Sequence, residues 1–128
     1  MTIETEKSRT GRLGEEAVIA HLRRNGHRIV ARNWRHGHYE LDIVSERCGT
    51  LHLVEVKTRR IDSLTPPEMA LTDQKQRSLR RAASLFLAGA GRRYEGFDLQ
   101  FDLASVRITP EEEITHIELV ENAIEFGW

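Results

Sequence analysis

The sequence predicts an α/β domain in which helices pack on a central mixed β-sheet, in the order helix, three strands, helix, strand (αβββαβ). Three observations carry this. Residues 8–25 and 72–87 repeat their apolar positions with the period of a helix. Residues 28–34, 39–46 and 51–58 show the alternation or short apolar runs of strands. A further strand-like run, 97–108, follows the second helix, so a meander is joined to a crossover.

Ser8 to Asn25 is expected to form the first helix, ended by Gly26, with residues 1–7 as a frayed tail. Around it, Val18, Ile19 and Leu22 gather on one side, and Leu13, Ala17 and Ala20 on another. Glu15 falls within the first group, i−4 to Ile19 and i−7 to Leu22, whereas Glu16 lies near Arg12 and Arg23. Glu15 is therefore the glutamate directed at the core. Gly14 is read as allowing this helix to approach the sheet closely.

Arg28 to Trp34 alternates as a strand and Gly37 breaks it. Tyr39 to Glu46 and Leu51 to Thr58 are the strongest strands, with Cys48-Gly49 as the turn between them. A two- or four-residue loop there sets Asp42 opposite Glu55 and Glu40 opposite Lys57, all four on one face. A one-residue slip would undo that convergence. Ser63 to Pro67 is read as a loop, and Thr72 as the N-cap of a helix running to about Leu87. Its inner stripe is Leu79, Ala82, Ala83 and Phe86, with Lys75 at the N-terminal end. In Phe97 to Ile108 the apolar phase flips between Leu103 and Ala104, which predicts a bulge or a break. Ile114 to Val120 is either a short strand or a turn.

At 128 residues the chain suits one domain with its own core. No run approaches the roughly 18 apolar residues of a membrane span. The polar N-terminus does not resemble a secretory signal. The single cysteine, Cys48, excludes an internal disulfide and a Cys-rich zinc site, and a cytoplasmic protein is expected. Charge is unevenly distributed: residues 108–128 hold six Glu and no Lys or Arg, and all 19 basic residues precede them. Only three of those are lysines, Lys7, Lys57 and Lys75. Arginine forks match phosphate oxygens, so this bias suits nucleic acid, although composition alone favours the plainer reading of a solvated arginine-rich surface.

Two facing carboxylates beside a lysine suit phosphodiester hydrolysis. Asp42 and Glu55 are the expected ligands of Mg²⁺ or Mn²⁺, with the Val56 carbonyl as a further oxygen. Lys57 would assist the attacking water or stabilise charge on the phosphoryl group. Arg32, Arg35, Arg59 and Arg60 would position phosphates. The competing explanation is a structural cross-strand ladder of charges, worth little in stability. Leu51 and Leu53 share the face of Glu55, so that face is covered, and covered charges need partners.

The constellation resembles the PD-(D/E)xK, restriction-endonuclease-like superfamily: Asp42 matches its acid, and Glu55-Val56-Lys57 its (D/E)-x-K. Much of the chain is similar to the YraN-like bacterial family. The matching pieces are Gly11 to Ala17, Ala31 to Arg35, Glu40 to Val44, Leu53 to Arg59, Lys75-Gln76 with Ala82-Ala83, Phe101 to Leu103, and Asn122-Ala123. The resemblance implies a three-layer, Holliday-junction-resolvase-like core. It places Glu15 beside the site, with Glu40 as an additional or supporting ligand, and brings Lys75 to the site from the second helix. It also implies DNA as partner, branched or damaged structures as substrates, and the homodimer common among resolvase-type nucleases. The chain departs from the family where a glycine usually precedes the Glu-x-Asp: here Tyr39 stands, with Gly37 two residues earlier. The alternatives are a nucleic-acid-binding module without turnover, and an interaction protein on a nuclease fold that docks through its acidic C-terminal segment.

Overall fold

The computed structural model describes residues 4–63 and 72–124. Its elements are α1 (Glu6–Arg24), β1 (Arg28–His36), β2 (Tyr39–Arg47), β3 (Thr50–Arg60), α2 (Asp73–Ala88), a 3₁₀ turn (Arg92–Tyr94), β4 (Asp98–Ile108) and β5 (Ile114–Ile124). The five strands form one sheet in sequence order. β3 and β4 are parallel and all other neighbours antiparallel. Parallel strands cannot be joined by a hairpin, so the β3–β4 connection carries α2 across one face.

The α-helices cover opposite faces, giving the three layers of a restriction-endonuclease-like core. Val18, Ile19 and Leu22 of α1 pack with Ile43, Val54, Ala104 and Val106. Leu79, Ala82, Ala83 and Phe86 of α2 pack with Val44, Leu51, Leu53 and Phe101. A sheet apolar on both faces reads as the near-continuous run Leu51 to Val54. It also explains the phase change in β4, where Phe101 joins the α2 layer and Ala104 the α1 layer. The parallel ladder to β3 runs through that point unbroken, while the β5 side carries a register shift between Phe101 and Leu103.

Three features fix the position of the site. Cys48 (φ 51°) and Gly49 (φ 80°) form a two-residue turn with Arg47 paired to Thr50. Positive φ at both central residues matches the twist of the strands and sets the register expected from the sequence. At Gly14, an added Cβ would run into the Thr58 side chain, so only glycine lets α1 lie this close to β3. Thr72 caps α2 as expected, its hydroxyl accepting from the Lys75 N–H at 3.1 Å.

Some boundaries differ. The tail expected over residues 1–7 gives way to helix at Glu6, because the Thr5 hydroxyl accepts the Ser8 N–H and caps α1. The expected loop residues Leu64 to Pro67 lie outside the described residues. The order αβββαβ gains a fifth strand: β5 runs over 11 residues. Its burial is irregular, because one face lies on α1 through Ile114, Ile117 and Leu119 while acidic residues face outward. No helix among the described residues is long and apolar enough to cross a membrane.

Candidate active site

The β2–β3 ladder is regular from Arg47–Thr50 to Ile43–Val54. One step further, the same register sets Asp42 opposite Glu55. Here the Val56 N–H donates to Asp42 Oδ2 at 2.9 Å, so side chain meets backbone across the strands. The two carboxylates thus sit where β2 and β3 cease to pair. Glu55 is 6% exposed. Burial, then the charge of Glu55, pushes the Asp42 carboxyl up to about 7, against the pull of the Val56 N–H. Glu15 and Glu40 raise it further.

Both helices reach this point. Lys75 of α2 places Nζ 3.1 Å from Glu55 Oε1. Glu15 of α1 is half-buried, and burial raises its pKa, while a hydrogen bond from Asn33 and the charge of Arg32 oppose that rise. Asn33 takes the left-handed conformation (φ 50°), which asparagine tolerates better than most residues. The sequence-level placement of Glu15 follows from its position on α1, one residue from the helix's point of closest approach at Gly14.

Of the four groups expected on one face, Lys57 and Glu40 fall in two different grooves beside the N-terminal half of α1, and Asp42 and Glu55 line neither. Lys57 lines one, of about 800 Å³, with Gly11, Val56, Thr58 and Arg59. Glu40 lines the other, of about 910 Å³, with Arg32, Asn33 and Arg35. Glu15 lines both. Glu40 pairs with Arg35 at 3.7 Å, and among the described residues Lys57 makes no ion pair. The splaying of β2 from β3 past Ile43–Val54 accounts for the separation: opposed positions no longer share a ladder.

Three of the predicted phosphate-binding arginines, Arg32, Arg35 and Arg60, are engaged with carboxylates. Arg32 lies 3.8 Å from Glu15 and 4.0 Å from Glu16. Arg60 bridges Glu6 and Asp62, each at 2.7 Å. Arg59 donates to the Thr58 carbonyl at 3.4 Å. His36 and His38 are exposed at the β1–β2 turn, His36 stacked on Trp34 and His38 against Tyr39. Trp34 is half-buried and packs edge-on against Phe86 at 5.3 Å, so it belongs to the core. Tyr39 packs on the α2-side cluster after the tight turn at Gly37 (φ 61°).

Among the described residues, no three or more His, Cys, Asp or Glu side chains group to hold a metal. The protein would supply two carboxylates, Asp42 and Glu55, with the Val56 carbonyl. That fits Mg²⁺, which keeps several waters and takes few protein ligands. The Asp42 pKa is raised by burial first and by the neighbouring charges of Glu55, Glu15 and Glu40 second, which a bound cation would offset.

The family model described as "Uncharacterised protein family UPF0102" matches residues 14–106. The chain belongs to this family. The matched span runs from the glycine under α1 through the carboxylate pair and α2 to the middle of β4. A UPF0102 protein of Mycobacterium avium (strain 104) is 41% identical over 126 residues, covering 92% of this chain and 95% of its own. One of Syntrophus aciditrophicus (strain SB) is 33% identical over 124 residues, covering 97% and 94%. One of Nitratidesulfovibrio vulgaris (strain DP4) is 56% identical over 81 residues; that match takes in 63% of this chain but only 60% of the relative. The UPF0102 chain described here also holds a buried polar row that sequence reasoning missed. His27 Nδ1 meets Ser45 Oγ at 2.9 Å, and His52 Nδ1 meets Asp102 Oδ2 at 2.8 Å. The two imidazoles lie 4.6 Å apart, edge to face. Asp102 also accepts from Gln100 Nε2 and the Asn122 N–H. These residues are scattered from the start of β1 to the end of β5, so no local spacing announced them.

Proposed function

We propose that this protein is a metal-dependent nuclease-like protein acting on DNA, of the PD-(D/E)xK type. The observation that carries the proposal is the juxtaposition of half-buried Asp42 and buried Glu55 at the opening between β2 and β3, the first carboxylate hydrogen-bonded to the Val56 N–H. A divalent cation held by the pair would supply Lewis acidity and a more acidic water. Lys57, without an anionic partner among the described residues, lines the adjoining groove, where its ammonium would stabilise negative charge on a phosphoryl oxygen. Glu15, its proton affinity raised by burial, stands at the junction of both grooves as a group able to accept or hold a proton. Branched or damaged DNA is the substrate class that the family resemblance suggests.

A second reading is favoured by one contact. Lys75 already compensates Glu55 at 3.1 Å, which suits a binding module that needs neither metal nor turnover.

The deciding experiment incubates the protein with Mg²⁺ or Mn²⁺ and a panel of duplex, single-stranded, flap and four-way-junction DNA, beside Asp42→Ala and Lys57→Ala. Metal-dependent cutting by the wild type alone is the expected result. Binding without cutting in all three, with no metal uptake by calorimetry, would leave the binding module.

A further inference from the structure

The charge pattern of α2 and the turn after it differs from that of the rest of the surface. Between Asp73, the first residue of α2, and Glu95 stand six cations, Lys75, Arg77, Arg80, Arg81, Arg92 and Arg93, and no acidic residue. In α2, Arg77 and Arg81 are exposed, on the side opposite the buried stripe of Leu79, Ala82, Ala83 and Phe86. Arg92 and Arg93 continue the exposed surface past the helix end.

Elsewhere most exposed arginines have another account: Arg23 and Arg24 stand in the last turn of α1, where cations suit the helix dipole, Arg47 is a lone cation at the β2–β3 turn, and others are neutralised within the protein. Arg9 pairs with Glu112, Arg12 with Glu4 and Glu16, Arg28 with Glu46, and Arg60 with Glu6 and Asp62, all within 3.0 Å. Among the described residues, no carboxylate pairs with Arg77 or Arg81. Like charges four residues apart on a helix are destabilising by a few tenths of a kcal/mol. Arg77 and Arg81 also lie outside the last turn of α2, so they gain little from its dipole. Helix stability therefore does not explain this arrangement, and an external anion does.

The position of the face identifies the anion. The Lys75–Glu55 contact ties the N-terminal end of α2 to the carboxylate pair. From Lys75, Arg77 and Arg81 lie about 3 Å and 9 Å further along the axis, at a rise of about 1.5 Å per residue. A row of guanidinium forks leading away from a phosphodiester site matches a polymer of phosphates.

We propose that the outer face of α2, Arg77 and Arg81 continued by Arg92 and Arg93, holds the phosphate backbone of a DNA duplex that runs to the Asp42–Glu55 site. This rests on the nucleic-acid reading above. It shifts the main phosphate-binding role from Arg32, Arg35 and Arg60, which are already ion-paired, to a surface that sequence reasoning passed over.

The test is fluorescence anisotropy of a labelled duplex in EDTA, where no cutting occurs, across 50–200 mM salt, with labelled polyglutamate as a second probe. Wild type is compared with Arg77→Ala/Arg81→Ala, with Arg92→Ala/Arg93→Ala, and with Arg9→Ala/Arg12→Ala as a control of equal charge change. Alanine is the strongest helix former, so the α2 variant should melt at or above the wild-type temperature. The expected result is at least a tenfold loss of affinity for the first two variants. For each pair, the slope of log affinity against log salt should fall by about 1.8, or about 0.9 for each phosphate no longer neutralised. The control should change the slope by less than half that. Wild-type affinity and slope in the α2 variant would overturn the proposal and leave the nuclease reading standing, as would an equal loss in the control. Failure of the wild type to bind any duplex would overturn the proposal, and the cleavage panel with metal would then decide the nuclease reading by itself. Loss of polyglutamate binding with duplex binding intact would assign the face to an acidic polypeptide and overturn the proposal.

Discussion

Lys75 Nζ lies 3.1 Å from Glu55 Oε1, joining the helix on one side of the sheet to the carboxylate pair within it. The side chain of Glu55 is 7% exposed and that of Lys75 40%, so the contact is a buried anion met by a half-exposed cation. Removing the cation strands the anion, whereas removing the anion merely frees the lysine.

Lys75→Ala is therefore predicted to destabilise the metal-free protein by about 1–3 kcal/mol, reduced from the fully buried case by the exposure of the lysine. Glu55→Gln should cost less, or stabilise. Urea unfolding of both variants in EDTA checks this. A Lys75→Ala protein as stable as the wild type would show that Glu55 is compensated by another group.

Asp42→Asn should raise the metal-free melting temperature at pH 8, above the Asp42 value of about 7, because it deletes a half-buried charge close to that of Glu55. Mg²⁺ or Mn²⁺ should stabilise the wild type, by about 2.7 kcal/mol at a hundredfold excess over Kd, and leave the variant unmoved. Thermal melts with and without metal decide it. Equal stabilisation of both proteins would place the metal elsewhere.

Gly14→Ala pushes a methyl into the Thr58 side chain. A loss of about 1–3 kcal/mol is expected. Thr58→Ala should recover part of it in the double variant, since Oγ1 is the nearest obstruction. Additive losses, measured in a double-mutant cycle, would refute the contact.

Burial, followed by the charge of His52, drives the His27 imidazole down from 6.5 to about 4. Arg47 and His21 add to this, and Asp102 opposes it. Above pH 6.5 the ring is neutral in both states and contributes nothing to the pH dependence. Below it, the unfolded chain binds a proton that the fold refuses until about pH 4, so stability falls across that window. The slope is at most about 1.4 kcal/mol per pH unit. His27→Asn should flatten the dependence of the urea midpoint between pH 4.5 and 6.5; an unchanged slope would assign it to other groups.

The carboxylate hairpin was legible in the sequence because period-2 alternation and a Cys-Gly turn fix register locally: the two-residue loop fell where arithmetic put it, and its register, followed to the end of the ladder, leads to Asp42 and to the backbone beside Glu55. Glu15 was legible for the analogous reason at the helical period, whereas the family resemblance, not periodicity, brought Lys75 to the site. The separation of Glu40 from Lys57 was not, since strand parity assumes a ladder that continues, and this one stops at Ile43–Val54. β5 was ambiguous because its outward face is acidic and its inward face sparse. The row from His27 to Asp102 was invisible: its members meet only once the strands are laid side by side.

The pairing of β3 with β4 in parallel has a consequence for how the site comes into being. The β2–β3 hairpin closes over two residues, whereas Thr50 must find Asp98 across the whole of α2. Local closure is fast and distant pairing slow. Asp42 and Glu55 are thus brought together early, as bare neighbours, and Lys75 arrives only with the later docking of α2. The unfavourable half of the constellation is assembled first, and the helix that completes the fold also carries its counter-charge. Substitutions in the Cys48-Gly49 turn should accordingly slow folding, while Lys75→Ala should mainly speed unfolding. Stopped-flow chevrons that showed the reverse would contradict this order of assembly.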